Sequence, residues 1–263
     1  MDNVIVSFVL KSGFGFLKKP DTNDRINFTF NLLHKPALLG ILGAIVGLEG
    51  HYQAYKQGKI FPEFWEKLQN LKIAIEPINT KNGVYPKTVV KYNNSVGYAN
   101  IQGGNLIVEE QILISPSFRI FLKLSLENET EKKLYLFLKN NQAEFIPYFG
   151  KNDFQIWWDD FNETTDFKVN SASNEIVRIS SIFIKPNDRR VSPRKDNGFD
   201  FALSENSLES NFAYFERLPV GYDKLTGNYV FKEFVFTNFK IKLQSVFGEV
   251  ITIRPIRKTV QFF

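Results

Sequence analysis

The chain contains no cysteine. Disulfides, thiolate zinc sites, iron–sulfur clusters and cysteine nucleophiles are therefore excluded. Its only histidines are His34 and His51, which also excludes a multi-histidine metal site. No clustered acidic motif argues for a carboxylate metal site. No Gly-x-Ser-x-Gly, Walker or dinucleotide fingerprint is present. No metal and no cofactor are expected. Met1 to Leu10 carries an acid and lacks the basic start of a secretory signal, which points to a cytoplasmic protein. The uncharged run Ala37 to Leu48 is shorter than the about 20 apolar residues a membrane-spanning helix needs, so no membrane partner is expected. Internal repeats, low-complexity tracts and a Gly/Ser/Pro linker are also missing.

What the chain has in quantity is aromatic and β-branched residues. Aromatics make up 15% of 263 residues, with 27 Phe and 10 Tyr, and this composition favours strands. The length suffices for one elaborate domain or two small ones. The net charge of +5 is a weak pointer to an acidic partner, so where the cations cluster matters more.

Asn3 to Leu10 reads as a first strand, followed by the turn "KSGFG" and a basic loop. Pro36 suits the first turn of a helix, because the N–H it lacks is one the helix start leaves unpaired. The helix it opens is apolar all round and therefore buried. Gly40, Gly43, Ala44 and Gly47 give it one face without bulk, against which another backbone can come close. A short helix over Pro62–Asn70 and a strand over Lys72–Ile78 follow. Asn79 to Glu109, rich in Asn, Gly and Tyr, reads as a long projecting hairpin with arms "TVVKY" and "NLIVEE". Phe118–Leu126 is a strand. Asn128 caps a helix with Glu131 three residues on, and Leu134, Tyr135 and Leu138 form its apolar stripe. "AEFIPYF" supplies a last strand. The predicted class is α+β: a ferredoxin-like (RRM-like) βαββαβ domain over residues 1–149 with the hairpin inserted at about 79–109. A smaller β-rich domain over 150–263 begins with "FQIWWDDF" and packs tightly on the first.

Several groups can carry chemistry. "GFGFLKK", Gly13 to Lys19, has the look of an RNA-stacking motif. It follows the first strand, lacks the final aromatic and has a serine before its first glycine, so it reads instead as a basic turn, either in contact with phosphate or plain. His34 and Lys35 precede the buried helix, where a helix N-terminus and a cation favour phosphate; alternatively both cover the helix end in water. His51, just past that helix, reads as an exposed end residue. The hairpin carries Lys91, Tyr92, Asn93, Asn94 and Tyr98, suited to bases or to a neighbouring protein; the alternative is an ordinary disordered loop. "KPNDRRVSPRK" holds Lys185, Arg189, Arg190, Arg194 and Lys195 against Asp188, kept extended by two prolines, and suits phosphate or is a solvated surface loop. Arg254, Arg257 and Lys258 form a less compact group. Trp157 to Phe161 reads as packing plus solvated charge.

The segment "SFVLKSGFGFLKKPDTNDRINFTFNLLHKPALLGILGAIVGL" resembles the N-terminal signature of the CRISPR-associated Cas-five family of the RAMP superfamily, subunits of type I Cascade complexes. The likeness runs through Lys35, Ala37 to Gly40, Leu42 to Ile45, Gly47 and Leu48. "FIPYFGKNDF", Phe145 to Phe154, resembles a later block of that family, with Phe149 where leucine is common. The resemblance covers the N-terminal half well and the C-terminal half by general architecture; it is nearest to the type I-B form. It implies a non-catalytic subunit that caps the 5′ handle of a CRISPR RNA, its hairpin acting as a thumb. The implied partners are a backbone (Cas-seven type) subunit, a large (Cas-eight type) subunit and, indirectly, target DNA, in antiviral defence. Family handle contacts carry over to Lys18, Lys19, Arg25, His34 and Lys35, and Lys151 in the second block joins them. One branch of the family is a metal-independent endoribonuclease with a Tyr, Lys and His set. Here neither histidine follows the thumb as in that branch, so catalysis is the alternative and not the expectation. A β-rich binding module for an unrelated ligand is the reading without RNA.

Overall fold

The computed structural model describes residues 3–20, 25–93, 101–102, 104, 106–170, 175–186, 201–202, 211–243 and 248–263. Its first half runs β1 (Asn3–Lys11), β2 (Phe14–Gly15), β3 (Ile26–Asn27), α1 (Lys35–Val46), α2 (His51–Lys56), α3 (Glu63–Leu68) and β4 (Lys72–Pro77). The hairpin arms β5 (Lys87–Asn93) and β6 (Ile107–Ile114) follow, then β7 (Ser117–Ser125), α4 (Glu129–Lys139) and β8 (Trp157–Thr164). The remainder comprises β9 (Phe167–Asn170), β10 (Ile176–Arg178), β11 (Phe183–Ile184), β12 (Phe201–Ala202), β13 (Ala213–Tyr222), β14 (Tyr229–Thr237), β15 (Lys240–Lys242), β16 (Glu249–Ile253) and β17 (Lys258–Phe262). The fold is mixed α+β, dominated by strands, with four helices among the described residues. No helix among them is long and apolar enough to cross a membrane.

Four strands form an antiparallel sheet in the order β4-β7-β1-β8. Side chains alternate across a strand, so β1 faces two ways. Val4, Val6, Phe8 and Leu10 point into the main core with Leu38, Leu42 and Ile45 of α1 and Leu134 and Leu138 of α4. Ile5 points to the other face and meets Ile251, Ile253, Val260 and Phe262 of β16 and β17, along with Ala74 and Phe121. Part of that second face is therefore covered by another sheet, ordered β17-β16-β9. The main core also takes in Ile182, Leu218 and Phe234, so the later strands pack on the earlier ones as expected.

The bare face of α1 receives α3. A Cβ added at Gly43 would lie 2.4 Å from Cβ of Phe64, closer than two side chains approach. At α4, Asn128 Oδ1 accepts from the backbone N–H of Thr130 and Glu131, while Glu131 reaches past the cap to the Ser125 N–H at 2.7 Å. The six-residue α2 was not legible from its sequence.

The last strand of the first sheet lies later than expected. Residues 143–149 form no strand; Tyr148 makes only an isolated bridge to Gln155. The backbone N–H groups of Glu144 and Phe145 donate instead to the carbonyls of Ile45 and Ala44 at the end of α1, and Pro147 has none to offer. β8 fills the place beside β1, with Trp158 turned toward α4, where its indole N–H donates to the Leu138 carbonyl at 3.0 Å. "WWDDF" is thus the start of a sheet strand.

Candidate nucleic-acid interface

The hairpin is anchored at its base. β6 pairs with β5 along one edge; along its other edge it pairs with β2, antiparallel, and with β3, parallel. The loop between β2 and β3 and the hairpin therefore share one small sheet. The loop's legs are zipped by a bridge between Lys18 and Thr29, by Lys19 N–H to the Phe28 carbonyl, and by Phe30 N–H to the Leu17 carbonyl. Lys18 is exposed at this end. Arg25 and Lys91 approach Glu109 from two sides, at 3.5 and 3.6 Å. Lys87 and Lys91 share a face of β5, four residues apart.

Beneath these cations lies a buried polar hub. Glu216 of β13 accepts the backbone N–H groups of Asn31 and Leu32, each at 2.9 Å. Lys19 Nζ stands 3.8 Å from the same carboxylate and 5.4 Å from the centre of the Phe30 ring. Asn31 Oδ1 accepts from Lys87 Nζ at 2.8 Å and from Tyr85 N–H at 3.1 Å, and its amide donates to the Gly83 carbonyl. Burial pushes the Glu216 carboxyl above its ordinary value, against the opposing pull of those N–H groups and lysines. Burial also holds Lys87 below its ordinary value, although Glu216 opposes this.

Lys151 reaches the opposite face of the hairpin from a tight turn. Phe16 N–H donates to the Phe149 carbonyl and Phe149 N–H to that of Phe154. Gly150 has φ 82°, and a Cβ there would fall 1.8 Å from the Phe16 carbonyl oxygen, so only glycine fits. Lys151 Nζ then sits 2.6 Å from Glu110 and 4.1 Å from the centre of the Tyr92 ring. Burial works to lower its pKa, but the hydrogen bond and charge of Glu110 outweigh it and the net shift is upward.

His34 and Lys35 depart from expectation. Both are buried, at 4% and 8% exposure, and so do not cover the helix end in water. His34 is the N-cap of α1: its Nδ1 accepts from Ala37 N–H at 3.3 Å, and its ring packs edge-on against Phe30 and Tyr229. Burial lowers its pKa to about 3, so it is a neutral acceptor near pH 7. Lys35 turns inward and donates to the carbonyls of Leu71 and Phe263 at 3.2 and 3.1 Å. Burial, with Lys72 nearby, lowers its pKa to about 8. His51 is exposed as expected, but it opens α2 and packs edge-on against Phe64 and Tyr222.

The structure thus brings Arg25, Lys91, Tyr92, Asn93 and Lys151 to β6, with Lys18 and Lys19 on the loop legs next to the same small sheet. Lys185 stands apart on the later strands, 2.9 Å from Glu233 and 5.8 Å from the Phe215 ring centre. Asn94, Tyr98, Arg189, Arg190, Arg194 and Lys195 lie outside the described residues. Sequence reasoning passed over Lys87, which the alternation of "KTVVKY" places beside Lys91. It also passed over Asn31 and Glu216, which stand 185 positions apart and share no local signal. Among the described residues no three of His, Asp and Glu gather as metal ligands would.

No protein-family model matches the chain, and no curated protein matches it. Solved structures it is similar to include CRISPR-associated proteins. A chain of the cryo-EM structure of the type III-B Cmr-beta bound to cognate target RNA and AMPPnP has 8% identity and a TM-score of 0.50, covering 98% of this chain and 99% of that one. A CRISPR protein from Archaeoglobus fulgidus has 13% identity and a TM-score of 0.49 over 98% and 97% of the two chains. A chain of a CRISPR RNA-guided surveillance complex has 12% identity and a TM-score of 0.44 over 92% of each. With the Cmr-beta chain the likeness spans nearly the whole of both molecules, and at that identity it is a likeness of fold.

Proposed function

We propose that this chain is a non-catalytic RNA-binding subunit of a CRISPR RNA-guided complex, of the Cas-five kind and nearest to type I-B, which holds the 5′ handle of the guide RNA. The observation that carries the reading is the convergence of three separate segments on one strand. The basic loop, the hairpin base and the Lys151 turn all meet at β6 and place cations on both of its faces. Exposed Lys and Arg on a rigid frame neutralise phosphates, and single-stranded RNA ends are recognised by such surfaces. A ferredoxin-like first domain is supported by the strand order β4-β7-β1-β8, with α1 leading out of β1 and α4 joining β7 to β8. The fold likeness to a chain of an RNA-bound CRISPR complex supports the same assignment. Backbone and large subunits are the proposed protein partners. The locked imidazole of His34 favours a non-catalytic role, since a buried cap that stays neutral to about pH 3 is a poor proton shuttle.

The test is binding of purified protein to a CRISPR RNA bearing its 5′ handle, against the same RNA with the handle scrambled, across a salt series in chelator. The expected result is tighter, salt-dependent binding of the handle RNA, which stays intact. Equal affinity for both RNAs would remove the handle assignment. A single site-specific cut would replace the reading with that of a metal-independent endoribonuclease.

A further inference from the structure

Phosphate contact leaves Phe14 without a role. Its side chain is 45% exposed, while Phe16, two residues on, is 6% exposed and packs with Ile112 and Phe154. The backbone beneath Phe14 is tightly held. Phe14 and Gly15 pair with Ile114 and Leu113 of β6, Ser115 N–H donates to the Gly13 carbonyl at 2.8 Å, and Ser12 N–H to that of Pro116 at 3.3 Å. The ring rests on Phe154, with centroids 5.8 Å apart and planes at 51°. Phe14 is therefore clamped from below and from one side, and much of what remains faces water.

Its position on the sheet matters as well. Phe14 lies opposite Ile114, and alternation along β6 puts it on the same face as Ile112, Glu110 and, across the hairpin, Tyr92. Lys151 supplies positive charge on that face, 6.0 Å from the Phe16 ring centre. Lys87 and Lys91 lie on the opposite face. The hairpin base thus has one face that carries the exposed Lys91 and the half-buried Lys87, and one face that presents the Phe14 ring and also carries Lys151.

We infer that Phe14 is a stacking platform for an unpaired nucleobase of single-stranded RNA, an assignment that rests on the RNA-binding reading above. A ring already fixed by its neighbours loses little freedom when a base lies on it. Stacking on such a ring tolerates any base, because every base has a π-face, and it adds to whatever the phosphates contribute.

The experiment uses the full chain and two short probes of equal length and charge: an oligouridylate and its abasic counterpart. Affinities are read by fluorescence anisotropy at fixed salt for the wild type, Phe14→Ala, Phe14→Leu and Phe14→Trp. Phe14→Leu keeps an apolar contact with Phe154 and so separates stacking from folding. The expected result is a loss of about tenfold or more on the oligouridylate for both Ala and Leu, recovery with Trp, and no change on the abasic strand. Wild-type protein that binds both probes equally, or Leu and Ala variants that bind oligouridylate like the wild type, would overturn the inference and leave the ring to a protein contact. Wild-type protein that binds neither probe nor the handle RNA would overturn the RNA-binding reading itself, and binding of the handle RNA with neither probe bound would overturn this inference alone.

Discussion

Lys35 and Lys151 are both drawn toward the interior, yet their surroundings act on them in opposite directions. Lys35, at the start of α1, is stripped of water by burial, with carbonyl oxygens at its ammonium and the like charge of Lys72 nearby, and its pKa falls to about 8. Lys151, at the hairpin base, finds the Glu110 carboxylate at 2.6 Å, and its pKa rises. The first lysine braces the core. The second keeps its charge at the edge of a surface. The contrast teaches that a cation's place in a motif does not decide whether it can meet a ligand; what packs against it does.

The firmest way to break this contrast is to remove the turn that delivers Lys151. Gly150→Val puts a branched side chain where a Cβ alone would lie 1.8 Å from a carbonyl oxygen, at a positive φ. It should cost about 4 kcal/mol, read by urea unfolding. A loss under about 1 kcal/mol would mean that the turn yields easily and does not fix Lys151.

The start of α1 offers the next largest effect, through pH. The ordinary histidine value is 6.5 and that of His34 in the fold is about 3. Between these values the unfolded chain binds the proton and the folded chain does not. The stability that His34 contributes is thus complete above pH 6.5 and is lost as pH falls toward 3. The wild type should lose about 3 kcal/mol between pH 6.5 and pH 4 from this group alone. His34→Asn, which keeps a capping acceptor, should show a correspondingly shallower acid limb. Identical acid limbs would show that the imidazole is not shielded as its burial implies.

These two sites also show what could be read in advance. Pro36 and the uncharged run after it announced α1, and Asn128 with Glu131 announced α4, because helix ends and apolar faces are written locally. The hairpin arms were legible from alternation, and their pairing follows the expected segments. The burial of His34 was not legible, because the ring that closes over it, Tyr229, lies far along the chain. The place of β8 was missed for a related reason. "AEFIPYF" has strand composition, but two of its N–H groups are taken by the end of α1, a competition visible only in three dimensions. Glu216 and Asn31 form the hub under the candidate site by pure long-range contact.

That hub gives a smaller effect. Glu216→Ala strands the N–H groups of Asn31 and Leu32 in a buried place and should cost about 2 kcal/mol. Glu216→Gln keeps one acceptor and should cost less. Because Lys19 and Lys87 lose a nearby negative charge, either variant should also bind single-stranded RNA at least as tightly as the wild type once folding is controlled. Weaker binding with intact folding would assign the carboxylate a direct part in holding the loop for RNA.

The finest comparison is between single cations, and it isolates charge from structure. For single-stranded RNA the slope of log affinity against log salt falls by about 0.7 for each phosphate contact removed. Lys18→Ala and Lys91→Ala, at exposed positions around β6, should each reduce the slope by about that amount with little change in unfolding midpoint. Lys35→Met should do the reverse, shifting stability and leaving the slope alone, since its ammonium faces carbonyls inside the fold. Its effect on stability should also depend on pH. Between about 8 and the ordinary lysine value of 10.5 the folded wild type sheds a proton that the unfolded chain retains, so wild-type stability rises relative to the variant as pH climbs through that window. A slope that responds to Lys35 and ignores Lys18 and Lys91 would move the RNA surface from the hairpin base to the start of α1, against the burial of both residues there.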